Sequence, residues 1–162
     1  MNGDYIRKMA INKWKMKYFM LQNLPMALLA GLRIIHIDRE KAQVSIPNKY
    51  LNKNPFRSIY FATQSMAAEL ATGILAMAAV KDSQVPVSML VLNMEASFMK
   101  KATTKIIFTS QDGDAIADAI KQAQEDGEGH TVKASSIGRN TKNEIVAEFQ
   151  FTWTFKTKTK KT

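Results

Sequence analysis

The segment from Gln64 to Val80 constrains the fold more than any other part of the chain. It carries Ala, Met, Leu and Ile on almost every side and has Glu69 as its one acid. A helix that meets solvent keeps a polar side opposite its apolar stripe, so this composition predicts a helix buried nearly all round. It is not a membrane span. Its apolar run, Met66 to Val80, is broken by Glu69 and Thr72, and it falls short of the roughly 18–20 residues that cross a bilayer. Ser65, Glu69, Thr72, Gly73 and Ala76 recur at i, i+4, i+7, i+8 and i+11. That spacing predicts one small, polar face on an otherwise apolar cylinder.

The rest of the chain supplies what can bury such a helix. Alternation predicts strands at Leu32–Ile37, Ala42–Ile46, Ser88–Met99, Thr104–Ser110, His130–Ile137 and Glu144–Lys156. The turns Asp38–Lys41 and Lys100–Thr103 would join consecutive pairs. In Ser88–Met99, Leu90, Leu92, Met94, Ala96 and Phe98 point one way and Val91, Asn93, Glu95 and Ser97 the other. The last strand places Ile145, Ala147, Phe149, Phe151, Trp153 and Phe155 on one face, the pattern of a well-packed central strand. A second helix is expected over Asp114–Glu125, capped by Asp112 or Asp114 and stopped by Gly127 and Gly129. Asp4–Asn23 reads as one basic amphipathic helix with Asp4 as N-cap, Ile6, Met9, Met16 and Met20 inward, and Pro25 ending or restarting it. The expected class is α+β, an antiparallel sheet wrapped around one long helix, with an extra N-terminal helix. One domain spans 1–162, residues 1–25 being a helical extension and 156–162 a basic tail.

Composition narrows the chemistry. The chain has 162 residues and no Cys, which rules out disulfides, thiolate nucleophiles and Cys-based zinc sites. His36 and His130 are its two histidines, so no metal site is expected. His36 reads as a half-buried strand histidine. Asp112, Asp114 and Asp118 lack the Gly and Glu of a calcium loop. The net charge is +9, concentrated in the lysines near both ends. Solvated ends are the plain reading; a polyanionic ligand or an anionic membrane surface is the functional one. No nucleic-acid-binding motif accompanies the charge. The charged start has no apolar segment of signal-peptide length behind it, so a cytoplasmic protein is expected.

The stretch Asn52–Gly73, NKNPFRSIYFATQSMAAELATG, resembles the hotdog-fold acyl-CoA thioesterases of the phenylacetyl-CoA type. Those carry an Asn, a His-Gly-Gly that begins six residues later, and an acid nine residues after that His. Asn54 matches the Asn and Glu69 the acid, while Tyr60, Phe61 and Ala62 stand at the His-Gly-Gly positions. The chain is most similar to an uncharacterised thioesterase-like hotdog family that carries a domain-of-unknown-function label. Ser58, Tyr60, Phe61, Ala68 and Glu69 fit its pattern. The resemblance covers the layout of nearly the whole chain and about 20 residues of motif, a span of helical and loop signals.

The resemblance implies an acyl thioester as substrate and no bound cofactor. Glu69 would be the general base, or less readily the nucleophile, with Asn54 orienting water or carbonyl. Tyr60, Phe61, Ala62 and Ser65 would contact substrate, and a free N–H at the helix N-terminus would take the oxyanion. A homodimer or homotetramer with the site at the subunit interface is implied as well. Phe61 in place of a glycine keeps the backbone N–H but narrows the approach, which favours a second expectation, a non-catalytic acyl-CoA or fatty-acyl binding module. A hydratase would need a His in the loop–helix segment, and neither His36 nor His130 lies there. Structural readings compete at each position: a paired acid at Glu69, a turn former at Asn54, and core packing at Tyr60.

Overall fold

The computed structural model describes residues 2–83 and 85–158. The central helix forms as expected and runs further, over Phe61–Asp82 (α4). No side chain caps its first turn: Tyr60 at the N-cap is extended and offers only its backbone carbonyl. No described helix is long and apolar enough to cross a membrane.

Three helices precede the sheet where one was expected. They are α1 (Gly3–Ile11), α2 (Lys13–Asn23) and α3 (Pro25–Ala30). The break falls at Asn12, whose backbone is extended and whose Oδ1 accepts from the N–H groups of Trp14 and Lys15 at 3.2 and 3.0 Å. One residue thus ends α1 and caps α2. The cap of α1 is Asn2, which accepts from Tyr5 N–H at 3.1 Å, and not Asp4. Asp4 instead pairs with Arg7. Pro25 opens α3 at its first turn, where its missing N–H costs nothing. Ile6, Met9, Met16 and Met20 are buried as the spacing predicts. Arg7 reaches Asp82 at 2.8 Å, latching α1 to the end of α4.

Six strands follow among the described residues: β1 (Arg33–Ile37), β2 (Ala42–Ile46), β3 (Val87–Phe98), β4 (Ile106–Ser110), β5 (His130–Arg139) and β6 (Ile145–Thr157). They form one antiparallel sheet in the order β1-β2-β4-β5-β6-β3. The helix α5 (Gly113–Asp126) lies between β4 and β5 in sequence and ends at Gly127, whose φ of 75° is the left-handed cap conformation. Asp112 sits at its N-cap position, but the carboxylate accepts from Ser135 N–H at 2.6 Å and ties the helix to β5. The helices α1 and α5 flank α4 against the sheet. Ile46, Ile106, Phe108, Ile74 and Phe155 fill the space between with almost no exposure.

Two expectations about β3 are corrected. Lys100–Thr103 does not join a β3–β4 hairpin: β3 pairs with β6, and β5 and β6 lie between it and β4. The strand also does not keep one alternation throughout. Its register with β6 shifts between Val91 and Asn93, so Leu92 is a bulge. Directly paired residues share a face, so Met89 and Val91 lie with Phe155 and Trp153. Beyond the bulge, Met94, Ala96 and Phe98 lie with Phe151, Phe149 and Ala147. Leu90 falls on the other face, with Asn93 and Glu95. The bulge keeps apolar side chains toward α4 along a strand whose sequence slips phase at Leu92.

His36 is exposed rather than half-buried and bonds Asp38, two residues on at the start of the β1–β2 turn, at 2.8 Å. The Lys41 N–H, together with the His36 contact and the Glu40 N–H, holds the Asp38 carboxyl below its ordinary range. Of the basic tail expected over 156–162, residues 159–162 lie outside the described residues.

Candidate functional site

The loop before α4 is built by two asparagines. Asn52 is buried, and its Nδ2 donates to the carbonyls of Ala30 and Pro47 at 2.9 and 2.8 Å. Its own carbonyl accepts from Tyr60 N–H at 2.7 Å, and Ala102 O accepts from Ile59 N–H at 2.8 Å. These bonds fix where α4 begins. Asn54 closes the intervening turn. Its Oδ1 accepts from the N–H groups of Phe56 and Ser58 at 3.0 and 3.2 Å, and its Nδ2 donates to Ser58 Oγ at 3.0 Å. The side chain is thus engaged in its own loop, where Arg57 takes a φ of 61°.

Asn54, Tyr60 and Phe61 line one cleft of about 530 Å³, together with Gln64, Phe98 and Lys101. At its floor α4 starts. Thr63 and Gln64 donate to Tyr60 O, whereas the N–H groups of Phe61 and Ala62 have no acceptor among the described residues. Two free donors and the positive end of a helix dipole therefore point out of the first turn. The aromatic rings narrow the entrance: Tyr60 and Phe61 meet edge to face at 4.7 Å, and Phe61 and Phe98 at 6.4 Å. Gln64 was not among the expected site residues. It is buried, donates to Ile59 O at 3.0 Å and leaves its Oε1 without a partner among the described residues. Its signal in the sequence is a lone amide one turn after Tyr60.

Glu69 stands elsewhere. It lies two turns further along α4, beside a cleft of about 250 Å³ walled by Met26, Met66 and Leu70. Its carboxylate has no cation and no hydrogen-bond donor among the described residues. Desolvation by the surrounding protein pushes its pKa up. The carboxylate folds back over Gly73: a Cβ there would stand 2.9 Å from Glu69 Oε1 and 3.4 Å from Trp153 Cζ2.

The polar face expected on α4 divides in two. Ser65, Glu69 and Gly73 are half-exposed and form an open stripe with Ala62, Met66 and Met77. Thr72 and Ala76 turn inward and are fully buried. Thr72 Oγ1 accepts from Trp153 Nε1 at 3.0 Å and donates to Glu69 O at 3.0 Å. Ser65 donates to Phe61 O at 2.9 Å. Neither Ala62 nor Ser65 lines either cleft. Asn93 and Glu95 lie on the sheet face away from α4, 3.2 Å from each other. Among the described residues, no cluster of acids and histidines could hold a metal ion.

Solved structures place this architecture among known proteins. It is similar to a Pseudomonas aeruginosa protein of unknown function described as a probable thioesterase, with 18% identity, a TM-score of 0.74, and 98% of this chain and 97% of that chain covered. A protein of unknown function from Chlorobaculum tepidum gives 14% identity and a TM-score of 0.78, with 97% and 98% covered. The E. coli PaaI protein from the phenylacetic acid degradation operon gives 17% identity and a TM-score of 0.61, with 90% and 94% covered. At these identities the likeness shows the fold alone, which is the hotdog fold. No curated protein sequence matches the chain. A family model matches residues 12–155, nearly the whole described fold, and the chain belongs to that family, described as Domain of unknown function (DUF4442).

Proposed function

We propose that the protein binds coenzyme A thioesters and hydrolyses them. The observation that carries this reading is Glu69, a half-buried carboxylate without a partner among the described residues, on the open stripe of the central helix. A buried acid is ordinarily paired; one left free and desolvated is suited to take a proton. In the proposed reaction Glu69 removes a proton from water, and the resulting hydroxide attacks the thioester carbonyl carbon. The oxyanion is received by the free N–H groups of Phe61 and Ala62 at the helix N-terminus. The C–S bond then breaks, and the thiolate takes up the proton held by Glu69, giving a carboxylic acid and free thiol.

The two halves of this machinery stand eight residues apart on one helix, about 12 Å along its axis at 1.5 Å per residue. A single carbonyl does not reach both in one protomer. A homodimer, alone or within a tetramer, would set Glu69 of one subunit against the helix N-terminus of the other. The strand β3 supports such pairing: it is a long edge strand, and Leu90, Leu92, Met94 and Phe98 are exposed along it. Lys101 on the wall of the first cleft suits the phosphates of coenzyme A, while Lys100 beside it is paired with Glu144 at 2.6 Å. Asn54 would hold the loop that shapes the cleft. Tyr60, Phe61, Ala62 and Ser65 would border the substrate. A coenzyme A ester as substrate fits a cytoplasmic setting, and the reaction calls for no cofactor.

A second reading rests on the aromatic entrance. Phe61, packed between Tyr60 and Phe98, narrows the approach to the N–H groups, and a protein that binds an acyl thioester without turnover would be built this way. Purified protein mixed with short-, medium- and long-chain acyl-CoAs distinguishes the two. Release of free thiol supports the hydrolase, and tight binding without release supports the module.

A further inference from the structure

From Tyr5 to Ile37 the chain has no Asp or Glu, yet it carries Arg7, Lys8, Lys13, Lys15, Lys17 and Arg33. Arg7 is used internally, by Asp4 and Asp82. None of the other five takes part in an ion pair among the described residues. The acid-free stretch folds into the α1–α3 layer, and α2 divides sharply by face. Met16 and Met20 turn into the core. On the opposite side Trp14, Tyr18 and Leu21, spaced i, i+4 and i+7, are 74%, 63% and 61% exposed. Ile11, three residues before Trp14, is 57% exposed. Lys13 and Lys17 flank this stripe on one side and Lys15 on the other, about 60–100° around a helix of 3.6 residues per turn. Lys17 Nζ lies 5.3 Å from the Trp14 ring centroid. Behind the stripe, Lys13, Lys17 and Arg33 also wall an apolar cavity of about 340 Å³ with Met16, Met20 and Leu28.

Large apolar side chains rimmed by unpaired cations do not serve the folded core, and the catalytic proposal does not use them. We propose that the outer face of α2 docks on an anionic lipid bilayer. Trp and Tyr are amphipathic rings that settle at the headgroup level. Leu21 and Ile11 add apolar area that can enter the acyl boundary, and the lysines complement anionic headgroups. The same charge argues against the other occupants. A second copy of this chain, paired about a two-fold axis, would set lysine against lysine. Nucleic acid would meet the cations but leave Leu21 and Ile11 unmatched.

Vesicle sedimentation of the full chain tests this. Vesicles of phosphatidylcholine with a third phosphatidylglycerol should bind it, pure phosphatidylcholine vesicles should bind it far less, and added salt should weaken the binding. Replacing Lys13, Lys15 and Lys17 with Ala should lower partitioning about a hundredfold. Trp14→Ala with Tyr18→Ala should lower it at least about tenfold. These side chains are exposed, and an unchanged circular dichroism melt confirms that each variant folds. The chain has two Trp residues, and Trp153 is buried, so a blue shift of emission on vesicles reports Trp14. Absence of binding to anionic vesicles, equal binding to neutral ones, or full binding by the triple-lysine variant overturns the proposal. So does a self-associated state that Trp14→Ala with Tyr18→Ala dissociates, which would assign the face to a second copy.

Discussion

Trp153 Nε1 donates to Thr72 Oγ1 at 3.0 Å. The bond joins the interior strand β6 to α4 in the core, and the Thr72 hydroxyl in turn donates to the backbone carbonyl of Glu69. The sheet thereby sets the rotation of α4 at the turn that carries the acid. Trp153→Phe removes the donor and leaves the ring volume largely in place. It should destabilise the protein by about 1–3 kcal/mol, a lost buried hydrogen bond with one partner left over plus a small cavity. Denaturant unfolding measures this, and the cost of Trp153→Phe should be smaller in a Thr72→Val background, where the hydroxyl oxygen that accepts from the indole is absent.

Gly73 leaves room for the Glu69 carboxylate, which would stand 2.9 Å from a Cβ placed there. The obstacle is the end of a flexible side chain, so it can swing away. Gly73→Ala should therefore fold, and should gain up to about 1 kcal/mol from helix propensity. Thioester turnover should fall, because the carboxylate is displaced toward solvent. A rise in melting temperature with a loss of rate is the expected pair of results.

Glu69 makes stability depend on pH in a direction opposite to that of most carboxylates. Its pKa is raised in the folded protein by desolvation. The native state therefore binds this proton more tightly than the unfolded chain does. Protonation favours folding as pH falls through the raised value, and above it the ionised group opposes folding. Glu69→Gln should melt at a higher temperature than wild type at neutral and alkaline pH. The difference should diminish as pH falls through the raised pKa toward the ordinary carboxylate range. Paired melting curves across pH check this.

The edge strand β3 leaves Leu90, Leu92 and Met94 exposed, Leu90 and Met94 on opposite faces of the sheet and Leu92 at the bulge between them. If two copies join there, Leu92→Lys should convert a dimer to a monomer while leaving the fold intact, since Leu92 is 56% exposed in the protomer. Light scattering after gel filtration measures the mass. The monomer should also lose turnover, because the proposed site draws on both subunits.

Local periodicity made the central elements legible and left their arrangement hidden. The alternation from Ala147 to Phe155 and the apolarity of Gln64–Val80 survive in β6 and α4 almost residue for residue, because burial on one face imposes a period on the sequence. The break at Asn12 did not show, since Met9, Met16 and Met20 keep a nearly continuous helical phase across it. What interrupts the helix is a side-chain oxygen taking two backbone N–H groups. The pairing of β3 with β6 is a long-range choice with no local marker, and the bulge at Leu92 hides within an unbroken apolar run. At the candidate site, the spacing of Asn54, Tyr60 and Glu69 pointed to one loop and the helix that follows it. It did not reveal that Asn54 spends its side chain on its own turn, that Glu69 borders a different cleft from Tyr60, or that Gln64 lies buried with a free oxygen. Those are facts about partners, and partners come from the packed fold.

Thiol release from acyl-CoA by wild type and by Glu69→Ala, measured side by side with acyl-CoA binding to both, tests the proposed hydrolase most directly. Wild type should turn over at least one chain length, with a rate that rises with pH through the raised pKa of Glu69. Glu69→Ala should bind the same ester with similar affinity and lose about 100-fold or more in rate, the range of a missing general base. An undiminished rate in Glu69→Ala would contradict the assignment.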